Sequence, residues 1–144
     1  ARQILCAAPH YLARHGRPRA LSELRRFNCL RFTGTEYLDA WQFRGEDGDA
    51  EALSVEGNFK SNSGSALYYA VLNGMGIAML PAYVVADDLK SGRLEELRLD
   101  RPPVEIPIWS VYAYRQHLSA KVRTFIDFTR ARVAQRLAAL DGPG

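Results

Sequence analysis

The chain of 144 residues reads as an α/β fold, and three stretches say so. Residues 62–81 combine a helix, a glycine turn and a short apolar run, which is one half of a β-α-β unit. Trp41-Gln42-Phe43-Arg44 alternates apolar and polar residues, the pattern of a strand covered on one side. Residues 106–114 are almost continuously apolar, with Pro107 near the start, as in a strand buried on both faces.

The stretch 62–81 organises the rest. Asn62 and Ser63 carry side-chain oxygens that accept the free N–H groups of a first helical turn. Ala66, Leu67, Ala70 and Val71 then fall at the spacing of one buried helix face. Asn73 and Gly74 supply a left-handed stop. Residues 77–80 follow as a buried strand ended by Pro81. The start of such a helix offers unpaired N–H groups and partial positive charge, which suit a small anion. A core helix packed on a sheet, its first turn bonded only to water, fits the same residues.

Before this stretch, residues 4–7 form a strand, and Pro9 opens a short helix through Tyr11 and Leu12 that stops at Gly16. Arg17-Pro18 breaks the chain, residues 22–27 make a second short helix ended by Asn28, and residues 29–32 make a strand. Thr33-Gly34-Thr35 is a loop. Residues 45–49 are a turn by composition. Leu53, Val55, Gly57 and Phe59 share one face of a return strand that ends near Lys60-Ser61, so residues 41–61 read as a hairpin.

After Pro81, residues 82–90 are helical with Gly92 at the end, residues 93–99 form a weaker strand, and Arg101-Pro102-Pro103 marks a linker. Ser119 caps a last helix. Val122, Phe125, Ile126, Thr129, Val133, Leu137 and Leu140 line one side of it, with Arg123, Arg130, Arg132 and Arg136 facing away. Residues 141–144 form a loose tail.

Composition excludes several classes. At 47% hydrophobic and 24% charged residues this is an ordinary globular chain. No apolar run is long enough to span a bilayer, so no membrane partner is expected. The net charge is +3, and no dense basic run is interleaved with aromatics, so these residues do not look like a nucleic-acid surface. No signal-peptide pattern is visible, and an intracellular protein or a piece of a longer one is the expectation.

Chemistry-bearing motifs are few. Cys6 and Cys29 sit in apolar sequence as small buried hydrophobes, a redox pair being the alternative. His10, His15 and His117 have no metal-ligand spacing, so neither metal nor other cofactor is expected. There is no Gly-x-Ser-x-Gly elbow, no Walker-type phosphate loop and no Gly-x-Gly-x-x-Gly after a strand. The acids Glu46, Asp47, Asp49, Asp87 and Asp88 read as solvated, so no enzyme and no catalytic residue is predicted.

A set of motifs in fixed order adds what these arguments leave open. Cys6-Ala7-Ala8-Pro9-His10-Tyr11-Leu12, Gly16-Arg17-Pro18, Leu21-x-x-Leu24, Cys29-Leu30 and Trp41-x-Phe43 come first. Asn73-Gly74-Met75-Gly76-Ile77-Ala78-Met79-Leu80-Pro81, Gly92-Arg93-Leu94 and Val122-Arg123-x-Phe125-Ile126-Asp127-Phe128 complete it. Together they resemble the C-terminal effector-binding domain of LysR-type transcriptional regulators, over nearly the whole chain.

The resemblance implies a fold like type 2 periplasmic binding proteins: two α/β lobes, each a mixed sheet flanked by helices, joined by crossing strands around a ligand cleft. Residues 1–8 would be the first crossing strand and 9–103 the effector-binding second lobe. Residues 104–140 would be the return strand and closing helix of an incomplete first lobe. The family's helix-turn-helix has no counterpart here, so DNA would be a partner only through a domain outside this sequence. A cytoplasmic homo-oligomer sensing a small molecule is the expectation. A solute-binding protein of a transport system, with the same fold, and a ligand-free oligomerisation module are the alternatives.

In open α/β sheets ligands sit beyond the carboxyl ends of the strands. That rule selects Thr33 and Gly34, then Asn62, Ser63 and Gly64, then Pro81, and the resemblance places effector contacts on the same loops. Hydroxyls of Thr33 and Ser63, the Asn62 amide and the first-turn N–H groups favour a carboxylate or other small anion.

Overall fold

A computed structural model describes residues 1–34, 40–109, 111 and 119–140. Its main sheet has five strands: β1 (Gln3–Ala7), β2 (Cys29–Phe32), β5 (Lys60–Ser61), β6 (Ile77–Pro81) and β7 (Glu95–Glu96). Their order across the sheet is β5-β2-β6-β1-β7. β2 runs parallel to β5 and β6, whereas β1 runs antiparallel to β6 and β7. The sheet is therefore mixed. A second, two-stranded sheet pairs β3 (Trp41–Arg44) with β4 (Ala50–Leu53), Trp41 opposite Leu53.

Strand alternation divides the core in two. Ile4 and Cys6 point to one side with Leu30, Ala78 and Leu80, beneath α2 (Gly64–Leu72) and α3 (Ala82–Ser91). Leu5 and Ala7 point to the other with Cys29 and Ile77. There α1 (Pro9–His15), the 3-10 turn Leu21–Arg26 and the β3–β4 hairpin cover them through Leu12, Leu24 and Phe43. All five residues of β1 are buried, as expected of a strand with both faces covered.

Local chemistry sets the element ends. Pro9 begins α1, where its missing N–H costs nothing. Ser63 caps α2, its Oγ accepting the Ala66 N–H at 3.3 Å. Gly74, at φ 72°, turns the chain from α2 toward β6, and a Cβ there would lie 2.0 Å from His10 Nε2. Asn73, expected to share this left-handed stop, instead has φ −85°. At the end of α3, Asp88, expected to be solvated, is instead 2% exposed and paired with Arg93 at 2.5 Å.

Four further expectations need correction. The return strand of the hairpin stops at Leu53. Residues 56–61 leave it and run beside β2, the Glu56 and Phe59 carbonyls accepting the N–H groups of Cys29 and Arg31 at 3.0 Å. Gly57 permits that approach, since a Cβ would sit 2.1 Å from the Cys29 carbonyl oxygen. The strand expected over 93–99 shrinks to Glu95–Glu96, the length along which β7 meets β1.

Residues 106–109 are not a strand. Pro107 has no N–H to give a ladder, and Ile108 and Trp109 are 50% and 78% exposed. The remainder of the expected strand, 110 and 112–114, lies outside the described residues, as do Thr35 and the tail 141–144. Finally, α4 (Ala120–Leu140) forms as expected, with Ser119 Oγ accepting the Val122 N–H at 3.4 Å. The stripe meant to be buried is open, however: Phe125 is 68% exposed and Val122 40%.

Candidate functional site

The parallel arrangement of β5, β2 and β6 brings their carboxyl ends to one edge of the sheet. The antiparallel β1 contributes its first residue to that edge, Gln3 lying opposite Pro81. A cavity of about 670 Å³ opens there. Phe32, Leu80, Pro81 and Gln3 supply the strand-end side. Asn62, Gly64 and Leu67 come from the start of α2, and Tyr83 and Val84 from the first turn of α3.

The far wall comes from Ala40, Trp41, Gln42 and Ala50 of the hairpin region and from Val104, Glu105 and Ile106. This last segment is held by backbone bonds, the Val104 N–H donating to the Gln42 carbonyl and the Ile106 N–H to the Ala1 carbonyl, both at 2.9 Å. The lining is thus mostly apolar, with a few polar groups, the usual make-up of a small-molecule pocket. Among the described lining residues the side chains with polar groups are the amides of Gln3, Gln42 and Asn62, the Tyr83 phenol, the Trp41 indole N–H and the Glu105 carboxylate. None is Arg, Lys or His.

The six residues selected from sequence divide evenly. Asn62, Gly64 and Pro81 line the cavity; Thr33, Gly34 and Ser63 do not. Thr33 is exposed and ties β2 to β5 through its N–H, which donates to the Ser61 carbonyl at 3.0 Å. Gly34 is exposed beside the Phe32 ring, within 2.4 Å of where a Cβ would stand. The Ser63 hydroxyl is committed to capping α2 as acceptor, and its O–H is left to donate. A Cβ at Gly64 would meet nothing within 4 Å, so the helix start is open toward the cavity.

Sequence reasoning missed Gln3, Gln42, Glu105 and Trp41 as lining residues. The alternation of Trp41 and Gln42 marks a strand but does not say that its end reaches the main sheet's edge.

Elsewhere, burial sets the titration of both thiols. Cys6 is pushed up to about 12 by burial, then by the negative charges of Asp88 and Glu96. Cys29 is also pushed up to about 12 by burial, with Arg31 pulling slightly the other way. The two thiols point to opposite faces of the sheet and are both free. Neither is a nucleophile at neutral pH. Among the described residues no cluster of three potential metal ligands occurs, and no helix is long and apolar enough to cross a membrane.

The model of the LysR substrate binding domain matches residues 1–134. The chain belongs to that family. Its fold is accordingly the type 2 periplasmic-binding-protein-like one, and its role is that of the effector-binding domain of a LysR-type regulator.

Sequence relatives of this LysR substrate-binding domain include the HTH-type transcriptional regulator DmlR of Escherichia coli K12. It is 34% identical over 134 residues, which are 92% of this chain and 43% of DmlR. The HTH-type transcriptional activator TtdR of the same strain is 32% identical over 140 residues, 97% of this chain and 45% of TtdR. The chain therefore spans less than half the length of these two relatives. The regulatory domain of CrgA from Neisseria meningitidis superposes with TM-score 0.66 at 29% identity, covering 88% of this chain and 62% of that one. Full-length AphB, a Vibrio cholerae virulence activator, gives TM-score 0.69 at 27% identity over 88% and 43%. These relatives are named regulators rather than enzymes or transport proteins, which favours the regulatory reading over solute transport.

Proposed function

We propose that this LysR substrate-binding domain senses a small carboxylate, or a similar small anion, in the cavity at the carboxyl ends of β2, β5 and β6. The observation that carries the reading is the coincidence of that cavity with the open start of α2. Backbone N–H groups of a first turn, together with the Asn62 amide, stabilise a negative charge without a cationic side chain. Each hydrogen bond to a charged group contributes on the order of 1.5–3 kcal/mol. The apolar lining would hold the carbon frame.

Asn62, Gly64 and Pro81 form the inner contacts, and Thr33, Gly34 and Ser63 on the adjoining loops meet a ligand that extends past the cavity. Residues 1–8 and 104 onward act as the crossings between lobes, and residues 9–103 are the second lobe. The opposite wall of the cleft comes from the remainder of the first lobe in the parent regulator. That parent binds DNA through its helix-turn-helix, works in the cytoplasm as a homo-oligomer and performs no catalysis.

Gly64→Phe tests this, because it adds bulk at the cavity wall where a Cβ meets no protein atom within 4 Å. In the parent regulator, calorimetry with a panel of small carboxylates should detect binding that Gly64→Phe abolishes while the melting temperature stays unchanged. Undiminished binding by the variant would remove the cavity from consideration.

A further inference from the structure

Gln3 is the polar residue in the otherwise apolar strand β1, and it is buried with only 8% exposed. Its backbone position is fixed by pairing with Pro81 of β6, and the residue lines the cavity. No hydrogen bond joins its carboxamide to another described side chain, and the carboxamide is not among the fully buried polar atoms left unpaired, so it faces the open space of the cavity. An amide that faces a cavity is satisfied by the solvent there or by a ligand that displaces it. Here the group available to satisfy it is whatever occupies the cavity.

The surroundings sharpen this. Met79, Leu80, Val104 and Ile106 line the same cavity and offer no comparable hydrogen-bonding group. The other polar groups of the lining are Gln42, Asn62, Tyr83, the Trp41 indole and the Glu105 carboxylate, whose negative charge leaves the donors to hold an acid. A rigid, buried strand is also a better platform for discrimination than a loop, because its side chain cannot retreat from a mismatched ligand. A site built to hydrogen-bond a ligand group rejects analogues that leave its own polar atoms unpaired.

We propose that Gln3 is a specificity-determining residue of the effector site, its Nε2–H donating to a carboxylate oxygen of the bound effector. The assignment rests on the reading of the cavity as the effector site. It goes further in naming a crossing-strand amide, rather than a loop hydroxyl, as the group that distinguishes an acid from its neutral analogue. Because an amide presents both a donor and an acceptor, replacing it by a carboxylate inverts the preference. Gln3→Glu accepts hydrogen bonds from a ligand amide and repels a ligand carboxylate.

The test uses the full-length regulator and propionate, benzoate, succinate and lactate, each beside its amide, with calorimetric dissociation constants as the readout. For the carboxylate that binds tightest, Gln3→Leu should weaken affinity about tenfold. Gln3→Glu should weaken it further and bind the matching amide more tightly than the acid, a reversal that a merely structural role would not produce. Wild-type affinity in Gln3→Leu, or an unchanged acid preference in Gln3→Glu, overturns the assignment. Gly64→Phe separates the two levels. If it abolishes binding while the Gln3 variants do not alter it, the cavity stands and Gln3 is wrong. If it leaves binding intact, or if none of the four carboxylates binds, the effector-site reading fails and takes Gln3 with it.

Discussion

The sheet and the C-terminal helix carry equally clear apolar patterns and meet opposite fates. In β1, Ile4, Leu5, Cys6 and Ala7 are each at most 1% exposed, enclosed by helices on one face and by α1 and the hairpin on the other. In α4 the stripe running through Val122, Phe125 and Val133 stands in the open, and among the described residues the helix meets the lobe chiefly at α3. Amphipathic spacing fixes the type of an element and the face that seeks cover. It does not say what provides that cover. For the sheet the cover is supplied within residues 1–103; for the α4 stripe no described residue supplies it.

The largest effect that can break this comparison is truncation of the core. Phe43 is fully buried, and Phe43→Ala should lower unfolding stability by about 3–5 kcal/mol. Replacing both Phe125 and Phe128 by Ala should change the urea unfolding of the lobe by less than about 0.5 kcal/mol. The same pair of changes should shift sedimentation of the chain toward monomer, because an exposed apolar face drives association. A double variant as unstable as Phe43→Ala, or a chain that is monomeric at high micromolar concentration before any change, would contradict the contrast.

A somewhat smaller effect lies in the alkaline limb. Both thiols are raised from an ordinary value of 9.0 to about 12 in the folded protein. The folded state therefore holds their protons more tightly than the unfolded chain does. The resulting stability is complete below about pH 9 and is lost as pH rises from there toward about 12. Each thiol contributes a slope of about 1.4 kcal/mol per pH unit within that window. Chemical denaturation at pH 8 and pH 10 should show the wild type losing more stability than a Cys6→Ala, Cys29→Ala double variant. Equal losses would mean that the thiols reach solvent.

At the smallest scale, Ser63→Ala removes the cap of α2 and should cost about 1 kcal/mol, read as a lower melting temperature. Its influence on effector affinity should be smaller than that of Gly64→Phe, since Ser63 lies outside the cavity and meets only the part of a ligand that extends past it. A variant that keeps its melting temperature and loses ligand would reverse that ranking.

Much of the lobe was legible in the sequence because its signals are local. Pro9 and Gly16 bracket α1, Ser63 caps α2, and Gly92 at φ 73° ends α3. What was not legible depends on partners distant in the chain. The alternation of Leu53, Val55, Gly57 and Phe59 has the period of a strand whichever neighbour it joins, so it could not show that residues 56–61 abandon β4 for β2. Half of the candidate site followed from the rule that ligands gather at strand ends, which reached Asn62, Gly64 and Pro81. Gln3 escaped because one polar residue at the start of an apolar strand looks like its solvated end. Only the pairing with Pro81 shows it beside a cavity. Ser63 was chosen for a hydroxyl that the helix itself uses.

The central claim is that the effector binds at one edge of the sheet, and hydrogen exchange of the parent regulator tests it most directly. The comparison is between the free protein and the protein saturated with the carboxylate that raises its melting temperature most. The account predicts added protection at Ser61, Gly64, Ser65 and Tyr83, beyond the carboxyl ends of the parallel strands. It predicts no change at Asn28, Gly57 and Asn58, which are held together near the amino end of β2. Protection confined to that opposite end, or spread evenly over the lobe, would contradict it.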